Sequence, residues 1–450
     1  MSIFKACDIR GKYGAELTAE IAGPIGRAVG SELAGKTVVV GGDVRPSTLP
    51  LKESLIRGIV SAGCRVLDVG ILPTPAFYFA KDELKADGGV MVTGSHNPAS
   101  DNGFKISVGE NAITEDDLER IRRRVERNDF ISDKGSCETL DMAKRYKDFI
   151  LKHFTRRGSL KVVVDAGNGC YSRIAPEVLH QLGYDVVELF CEPDGRFPNR
   201  SPNPAVASHL GALCEAVKRE HAAVGVAYDG DGDRVVFVDE KGRVVESDQG
   251  IVLFARHVLR RGPTSVVYDI KCSSVVAEET RKGGGTPVME KSGHSFIRGT
   301  LMRTKAGLGG EISGHFFFGE LGRDDGLYAT LRMLEIVEAD KRGLAAMADS
   351  VPRYAITPDL RLPCPPDQAK KILHDVREMF LKERGCEVSM LDGVRIAWPD
   401  GWALIRPSVT EPLLTLRFEA RDAKRLEEIQ KTIVGRIPAL KELMSKKKVP

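Results

Sequence analysis

No stretch of the chain approaches the ~18 consecutive apolar residues that a membrane-spanning helix needs. The start, Met-Ser-Ile-Phe-Lys-Ala-Cys-Asp-Ile-Arg, lacks the apolar core of a signal peptide. A cytoplasmic location with no membrane partner is therefore expected. The nine cysteines, scattered from Cys7 to Cys386, contain no Cys-x-x-Cys pair and are odd in number. That speaks against a disulfide frame or a zinc site and for reduced thiols. Charge of one sign is also missing: 66 basic residues against 63 acidic ones leave a net charge of +3. Such balance excludes the basic footprint expected of a nucleic-acid or anionic-membrane binder. The run Lys446-Lys447-Lys448 reads as a solvated tail.

What is present is a 450-residue chain, 42% hydrophobic and 29% charged, too long for one core and sized for three or four domains. A weak internal repeat organises most of it. Three times a β-branched run is followed by a helical segment, a second strand, and a third strand ending in a polar loop. The first strands are 38–40, 162–164 and 266–268; the second are 65–69, 185–189 and 287–289; the third are 89–92, 224–227 and 308–310. Continuous apolar runs at helix-sized intervals predict parallel strands buried on both faces. Each repeat would offer one loop at the carboxyl end of a strand, where such sheets bind ligands. The remainder differs. A helix is predicted over 366–384, a hairpin over 394–405 around Pro399-Asp400-Gly401, a strand over 413–419 and a helix over 422–436. The predicted domains are 1–140, 141–242, 243–352 and 353–450, the last a smaller α+β unit.

One motif is a decoy. Gly30-Ser31-Glu32-Leu33-Ala34-Gly35-Lys36-Thr37 matches the nucleotide-binding P-loop pattern. That loop works only between a preceding strand and a following helix. Here a helix over 19–33 precedes it and the strand at Val38 follows, so the match is rejected.

The informative stretch is Thr93-Gly-Ser-His-Asn-Pro-Ala-Ser-Asp-Asn-Gly-Phe-Lys105, arriving from the short strand before it. It presents a hydroxyl (Ser95), an imidazole (His96), an amide (Asn97) and an ammonium (Lys105), with Gly94 letting the backbone take unusual angles and Pro98 fixing them. A serine so placed is a candidate covalent nucleophile. In the second repeat, Asp229-Gly-Asp-Gly-Asp-Arg234 sets three carboxylates at alternate positions, which repel unless a cation sits among them. If the loop is extended, those side chains share one face. All-oxygen ligation of this kind suits Mg²⁺. An EF-hand is excluded, because Arg234 stands where it needs glycine and Val235 begins a strand. In the third repeat, Gly310-Glu311-Ile312-Ser313-Gly314-His315 offers a carboxylate and a hydroxyl for sugar hydroxyls. In the fourth region, Arg406, Ser408 and Thr410 alternate along Arg-Pro-Ser-Val-Thr-Glu-Pro and fit a phosphate held by charged hydrogen bonds.

These four loops, in this order and one per predicted domain, resemble those of the α-D-phosphohexomutase superfamily, and most of all its bacterial phosphomannomutase/phosphoglucomutase branch. The resemblance covers the whole chain. It implies three similar α/β domains with mixed, mainly parallel sheets plus a smaller C-terminal α+β domain, around a central active-site cleft. It implies that Ser95 carries a phosphoryl group and that Asp229, Asp231 and Asp233 hold Mg²⁺ with a phosphoserine oxygen. Glu311 and Ser313 would bind sugar hydroxyls, and Arg406, Ser408 and Thr410 the phosphate that is not being transferred. His96, Lys105, Arg234 and His315 would be charge stabilisers or proton carriers; the proton carrier stays open among Lys105, His96 and His315. Arg10, in Asp8-Ile-Arg-Gly11, would join the active-site set, and Lys271 and His294 fall in matching third-domain segments.

The implied activity is interconversion of hexose 1-phosphate and hexose 6-phosphate, of mannose or glucose, through a hexose 1,6-bisphosphate. A monomer or weak homodimer acting on phosphosugars is expected. Two features depart from the family pattern: Cys7 stands where many relatives have tyrosine, and Val409 where many have asparagine or glycine. A glucosamine-phosphate mutase of the same superfamily and a non-catalytic phosphosugar- or metal-binding protein remain the alternatives.

Overall fold

The protein is described by a computed structural model covering residues 3–5, 8–109, 111–408 and 412–446. Cys7, Val409 and Thr410 lie outside the described residues. The chain divides into two compact units, 1–250 with 313–349, and 251–312 with 350–450.

The first unit holds two mixed sheets. In the first, strands run in the order Ile9–Lys12, Asp101–Val108, Gly88–Val92, Thr37–Gly42, Arg65–Ile71, Ser136–Thr139. The last four are mutually parallel, and Asp101–Val108 is antiparallel to both its neighbours. The β-branched core explains the placement: Val38, Val39 and Val40 are all fully buried, as expected of a strand covered on both faces. The second sheet runs Val244–Val245, Val235–Asp239, Val224–Tyr228, Lys161–Asp165, Asp185–Leu189, with its last three strands parallel. The rejected P-loop is confirmed as a decoy by element order. Helix Ala19–Glu32, capped by Thr18 accepting from the Ile21 amide, precedes strand Thr37–Gly42.

In the second unit, strands Thr286–Glu290 and Leu308–Gly310 flank Ser265–Asp269 in parallel. The C-terminal sheet is antiparallel throughout: Leu413–Ala420 and Gly401–Pro407 at its centre, then Val394–Trp398 and Glu387–Ser389. The predicted helix over 366–384 is observed as Pro366–Phe380. Its buried stripe, Ala369, Ile372, Val376 and Phe380, runs out at Phe380, and Leu381 is already 53% exposed. Nothing apolar remains to hold another turn against the sheet.

Among the described residues, no helix is long and apolar enough to cross a membrane.

Candidate active site

In the first unit, strand Gly88–Val92 delivers the chain to Ser95, whose backbone adopts φ of 49°. That left-handed conformation is strained for a residue with a side chain. What holds it is a pair the sequence reading missed, Asp43 and Arg45, just past the end of strand Thr37–Gly42. The buried Arg45 guanidinium donates to the carbonyls of Ser95 (2.8 Å), Asn97 (2.6 Å), Asp101 (2.9 Å) and Pro98. Asp43 fixes Arg45 through its Nε (3.0 Å) and accepts from the Thr93 hydroxyl (2.8 Å) and the Gly94 amide (3.1 Å). The Ser95 amide in turn donates to Thr93 Oγ1 at 2.8 Å.

The Asp loop meets this turn closely. A Cβ at Gly230 would lie 2.6 Å from the Ser95 carbonyl oxygen, so no larger residue fits there. Ser95 Oγ donates to Asp229 Oδ2 at 3.0 Å. Asp229, Asp231 and Asp233 are buried, and one oxygen from each lies within 4.8 Å of the others. They converge through a tight turn with Gly232 at φ 81°, not along the extended loop that alternation predicts. A turn closes three side chains around a point, whereas a strand would only line them up.

Lys105 does not sit in the serine loop. It stands on strand Asp101–Val108, opposite Met91, and its ammonium contacts Asp231 (2.8 Å) and Asp233 (2.5 Å). Part of the repulsion expected among the aspartates is thus relieved by the protein's own cation. Burial alone would lower the Lys105 pKa, but the two carboxylates outweigh it and keep the ammonium charged. Burial likewise opposes ionisation of Asp231, yet Lys105 and the Thr74 hydroxyl (2.6 Å) hold it well below the usual carboxylate range. Asp229 is pushed the other way, by burial and then by Asp231 and Asp233. Among the described residues, Oδ1 of Asp231 and Oδ1 of Asp233 are buried without a hydrogen-bond partner, with Arg234 and His315 standing 4.0 and 3.8 Å from the latter. Buried carboxylate oxygens without hydrogen-bond partners, in a cluster of three aspartates, are what a hard cation requires.

His96 Nδ1 lies 3.3 Å from Ser95 Oγ, and burial, then Arg234 and Arg10, keep the ring neutral by lowering its pKa well below 6.5. Arg10 donates to Asn97 Oδ1 at 3.1 Å. Arg234 Nε donates to His315 Nε2 at 2.9 Å, and His315 Nδ1 faces Asp324 Oδ2 at 2.7 Å. Burial disfavours the imidazolium, but Asp233 and Asp324 push the His315 pKa up to about 9. A protonated ring has no lone pair for Arg234, so in that form the guanidinium contact must loosen. Asp324 also went unread in the sequence; it ends the short buried strand Arg323–Asp324, in a Gly-Arg-Asp-Asp-Gly run that carries no motif.

The recognition candidates fall mostly in the second unit. Lys271 stands between Asp269 (4.0 Å) and Asp359 (3.9 Å). His294 opens helix His294–Thr304, and Glu311 is buried just after strand Leu308–Gly310. Arg406, near the end of strand Gly401–Pro407, pairs with Asp392 at 3.1 Å, and the Ser408 amide donates to the Leu413 carbonyl at 2.8 Å. Ser313 belongs to the first unit.

Comparison with known proteins covers nearly the whole chain. Models of the phosphoglucomutase/phosphomannomutase family match in order: alpha/beta/alpha domain I at 1–132, domain II at 144–242, domain III at 246–354, and the C-terminal domain at 359–436. The chain is 41% identical over 445 residues to the phosphomannomutase/phosphoglucomutase of Pseudomonas aeruginosa, covering 98% of this chain and 96% of that one. It is 39% identical over 437 residues to the phosphoglucomutase of Neisseria gonorrhoeae, covering 95% of each. The crystal structure of a phosphoglucomutase/phosphomannomutase family protein from Burkholderia thailandensis superposes with a TM-score of 0.91, at 39% identity and 98% coverage of both chains.

Proposed function

Because the chain belongs to the phosphoglucomutase/phosphomannomutase family, we propose that this enzyme interconverts hexose 1-phosphate and hexose 6-phosphate, of mannose, glucose or both. The reaction passes through phosphoserine at Ser95 and a hexose 1,6-bisphosphate. The observation that carries the reading is Ser95 Oγ on Asp229 at 3.0 Å, in a cluster where two further aspartate oxygens are buried without a hydrogen-bond partner among the described residues.

Phosphoryl transfer depends on positioning and charge stabilisation more than on covalent chemistry by the protein. The Arg45 clamp fixes the nucleophile's backbone. The bond from Ser95 Oγ to phosphorus breaks as the free hydroxyl of the substrate bonds to that phosphorus, and the proton that hydroxyl loses balances the one that Ser95 Oγ gains. Ser95 Oγ regains a proton, and in the second half-reaction loses it again on taking back the other phosphoryl. Neutral His96, 3.3 Å from Ser95 Oγ, exchanges the proton at that atom. Lys105 and Arg234 add fixed positive charge. Asp229, Asp231 and Asp233 fit Mg²⁺, which when bound neutralises charge on the transferring group. Glu311 and Ser313 read sugar hydroxyls, Lys271 and His294 belong to the substrate-binding set, and Arg406 with Ser408 and Thr410 grips the idle phosphate. The enzyme acts on phosphosugars as a monomer or weak homodimer, needing neither nucleic acid nor membrane.

The test is the intact mass of the native protein, which should carry one added phosphoryl mapped to the peptide holding Ser95. Ser95→Ala should lose at least about a thousandfold in kcat, even with catalytic bisphosphate present. Near-normal turnover in that variant would sink the reading.

A further inference from the structure

Arg406 comes with an acidic partner already seated on it. Asp392 Oδ2 lies 3.1 Å from Arg406 Nη2, and the two side chains are only 15% and 14% exposed. The same oxygen accepts from the Ser292 backbone amide at 3.4 Å. Ser292 stands two residues before His294, where helix His294–Thr304 begins, and its hydroxyl donates to Asp269 at 2.5 Å. One carboxylate oxygen therefore pairs with a guanidinium and accepts a backbone N–H from the residue just before a helix N-cap. Those are the donor types that hold a phosphate oxygen.

The placement is built into the turn. Asp392 lies between strands Glu387–Ser389 and Val394–Trp398, and Gly393 follows at φ 81°. A Cβ at Gly393 would come within 2.3 Å of the Ile405 carbonyl oxygen. Only glycine lets the turn lie this close to the strand that bears Arg406. With a single methylene between backbone and carboxylate, Asp392 cannot swing far from the guanidinium without moving that turn.

We propose that Asp392 is a positioning residue that competes with the substrate's idle phosphate for Arg406. It thereby limits how tightly that phosphate is held. The inference rests on the reading of Arg406 as the idle-phosphate donor. Its physical basis is the reaction cycle, in which the phosphate that is idle in the first half-reaction is the one transferred in the second. The grip must let go once per turnover, and affinity shared equally by ground state and transition state does not raise kcat. A fixed negative charge beside the guanidinium weakens the grip without moving it.

A purely structural Asp392 would need only an acceptor oxygen, which asparagine also supplies; a competitor needs the charge. The measurements are the inhibition constant of inorganic phosphate, and KM and kcat for each sugar phosphate, on the full-length enzyme. Asp392→Asn should lower the phosphate inhibition constant and both KM values by roughly three- to tenfold, with kcat falling as release slows. Asp392→Glu, which keeps the charge, should leave the inhibition constant within about twofold of the native value. Arg406→Ala separates the two readings. If it raises the phosphate inhibition constant while Asp392→Asn leaves that constant unchanged or raises it, the competition proposal alone is overturned. If Arg406→Ala leaves the constant unchanged, Arg406 does not hold phosphate and both readings fall.

Discussion

The polar residues around Ser95 and those around Arg406 are organised on opposite principles. Around Ser95, the groups that fix the nucleophile and its aspartates make short, redundant contacts, with Arg234 held farther off at 3.9 and 4.0 Å: Lys105 reaches two aspartates at 2.8 and 2.5 Å, and Arg45 ties down four carbonyls. Around Arg406 and Lys271, the ion pairs are longer: 3.1 Å to Asp392, and 3.9 and 4.0 Å to Asp359 and Asp269. Groups that stabilise charge during transfer gain from being fixed in advance, since no reorganisation is then needed at the moment of reaction. Groups that recognise substrate must exchange one partner for another, so an over-strong internal pair would block them. The first region reads as machinery for chemistry and the second as machinery for exchange.

Three measurements can break or sharpen this contrast. The largest effect is expected from Asp229→Asn. It removes a buried carboxylate that already faces two others, so kcat should fall by about 10²- to 10³-fold. Stability in EDTA should meanwhile hold or rise, because one source of buried repulsion is gone. Thermal melts with EDTA and with Mg²⁺ decide it; a large drop in Tm under EDTA would make Asp229 a structural pillar instead.

Arg406→Ala is expected to cost less, about 1.5–3 kcal/mol, or ten- to hundredfold in kcat/KM. One serine must reach O1 in one half-reaction and O6 in the other. The same phosphate grip should therefore serve both poses, and the loss should be similar in forward and reverse assays. Damage confined to one direction would show that the loop serves a single pose.

The smallest effect is expected at Glu279, on helix Ser274–Lys282. Partial burial would raise its pKa, but the Arg256 pair at 2.6 Å outweighs that and lowers it. A carboxylate with a depressed folded pKa stabilises above its unfolded pKa and loses that contribution as pH falls through the folded one. Glu279→Gln should thus cost about 1 kcal/mol at pH 7, with the gap to native shrinking below about pH 4. A gap that persists in acid would mean the side chain acts through packing.

How far the sequence carried depended on whether a feature was local. The β-branched runs announced the parallel strands, and Thr-Gly-Ser-His-Asn-Pro and Asp-Gly-Asp-Gly-Asp announced the serine turn and the acidic cluster. Contacts between distant segments stayed hidden. Lys105 read as a companion of Ser95, but its partner Asp231 lies 126 residues away and on another strand–loop unit. Asp43 and Arg45 carry no motif, and their role appears only once Arg45 meets carbonyls some fifty residues later. Asp392-Gly393 looks like any Asp-Gly turn until its close approach to the Arg406 strand is seen.

The Arg45 clamp also has a kinetic meaning. Loops ordinarily open easily, because their amides face water and exchange hydrogen with it in fast local fluctuations. In the serine turn, the Gly94, Ser95 and Asn97 amides are all engaged, with Asp43, Thr93 and Gly94 respectively. Opening it means releasing a buried guanidinium from its carbonyls. The turn should therefore keep its amide protons on the timescale of the strands around it, and Ser95 would hold one backbone geometry whether or not it carries a phosphoryl group.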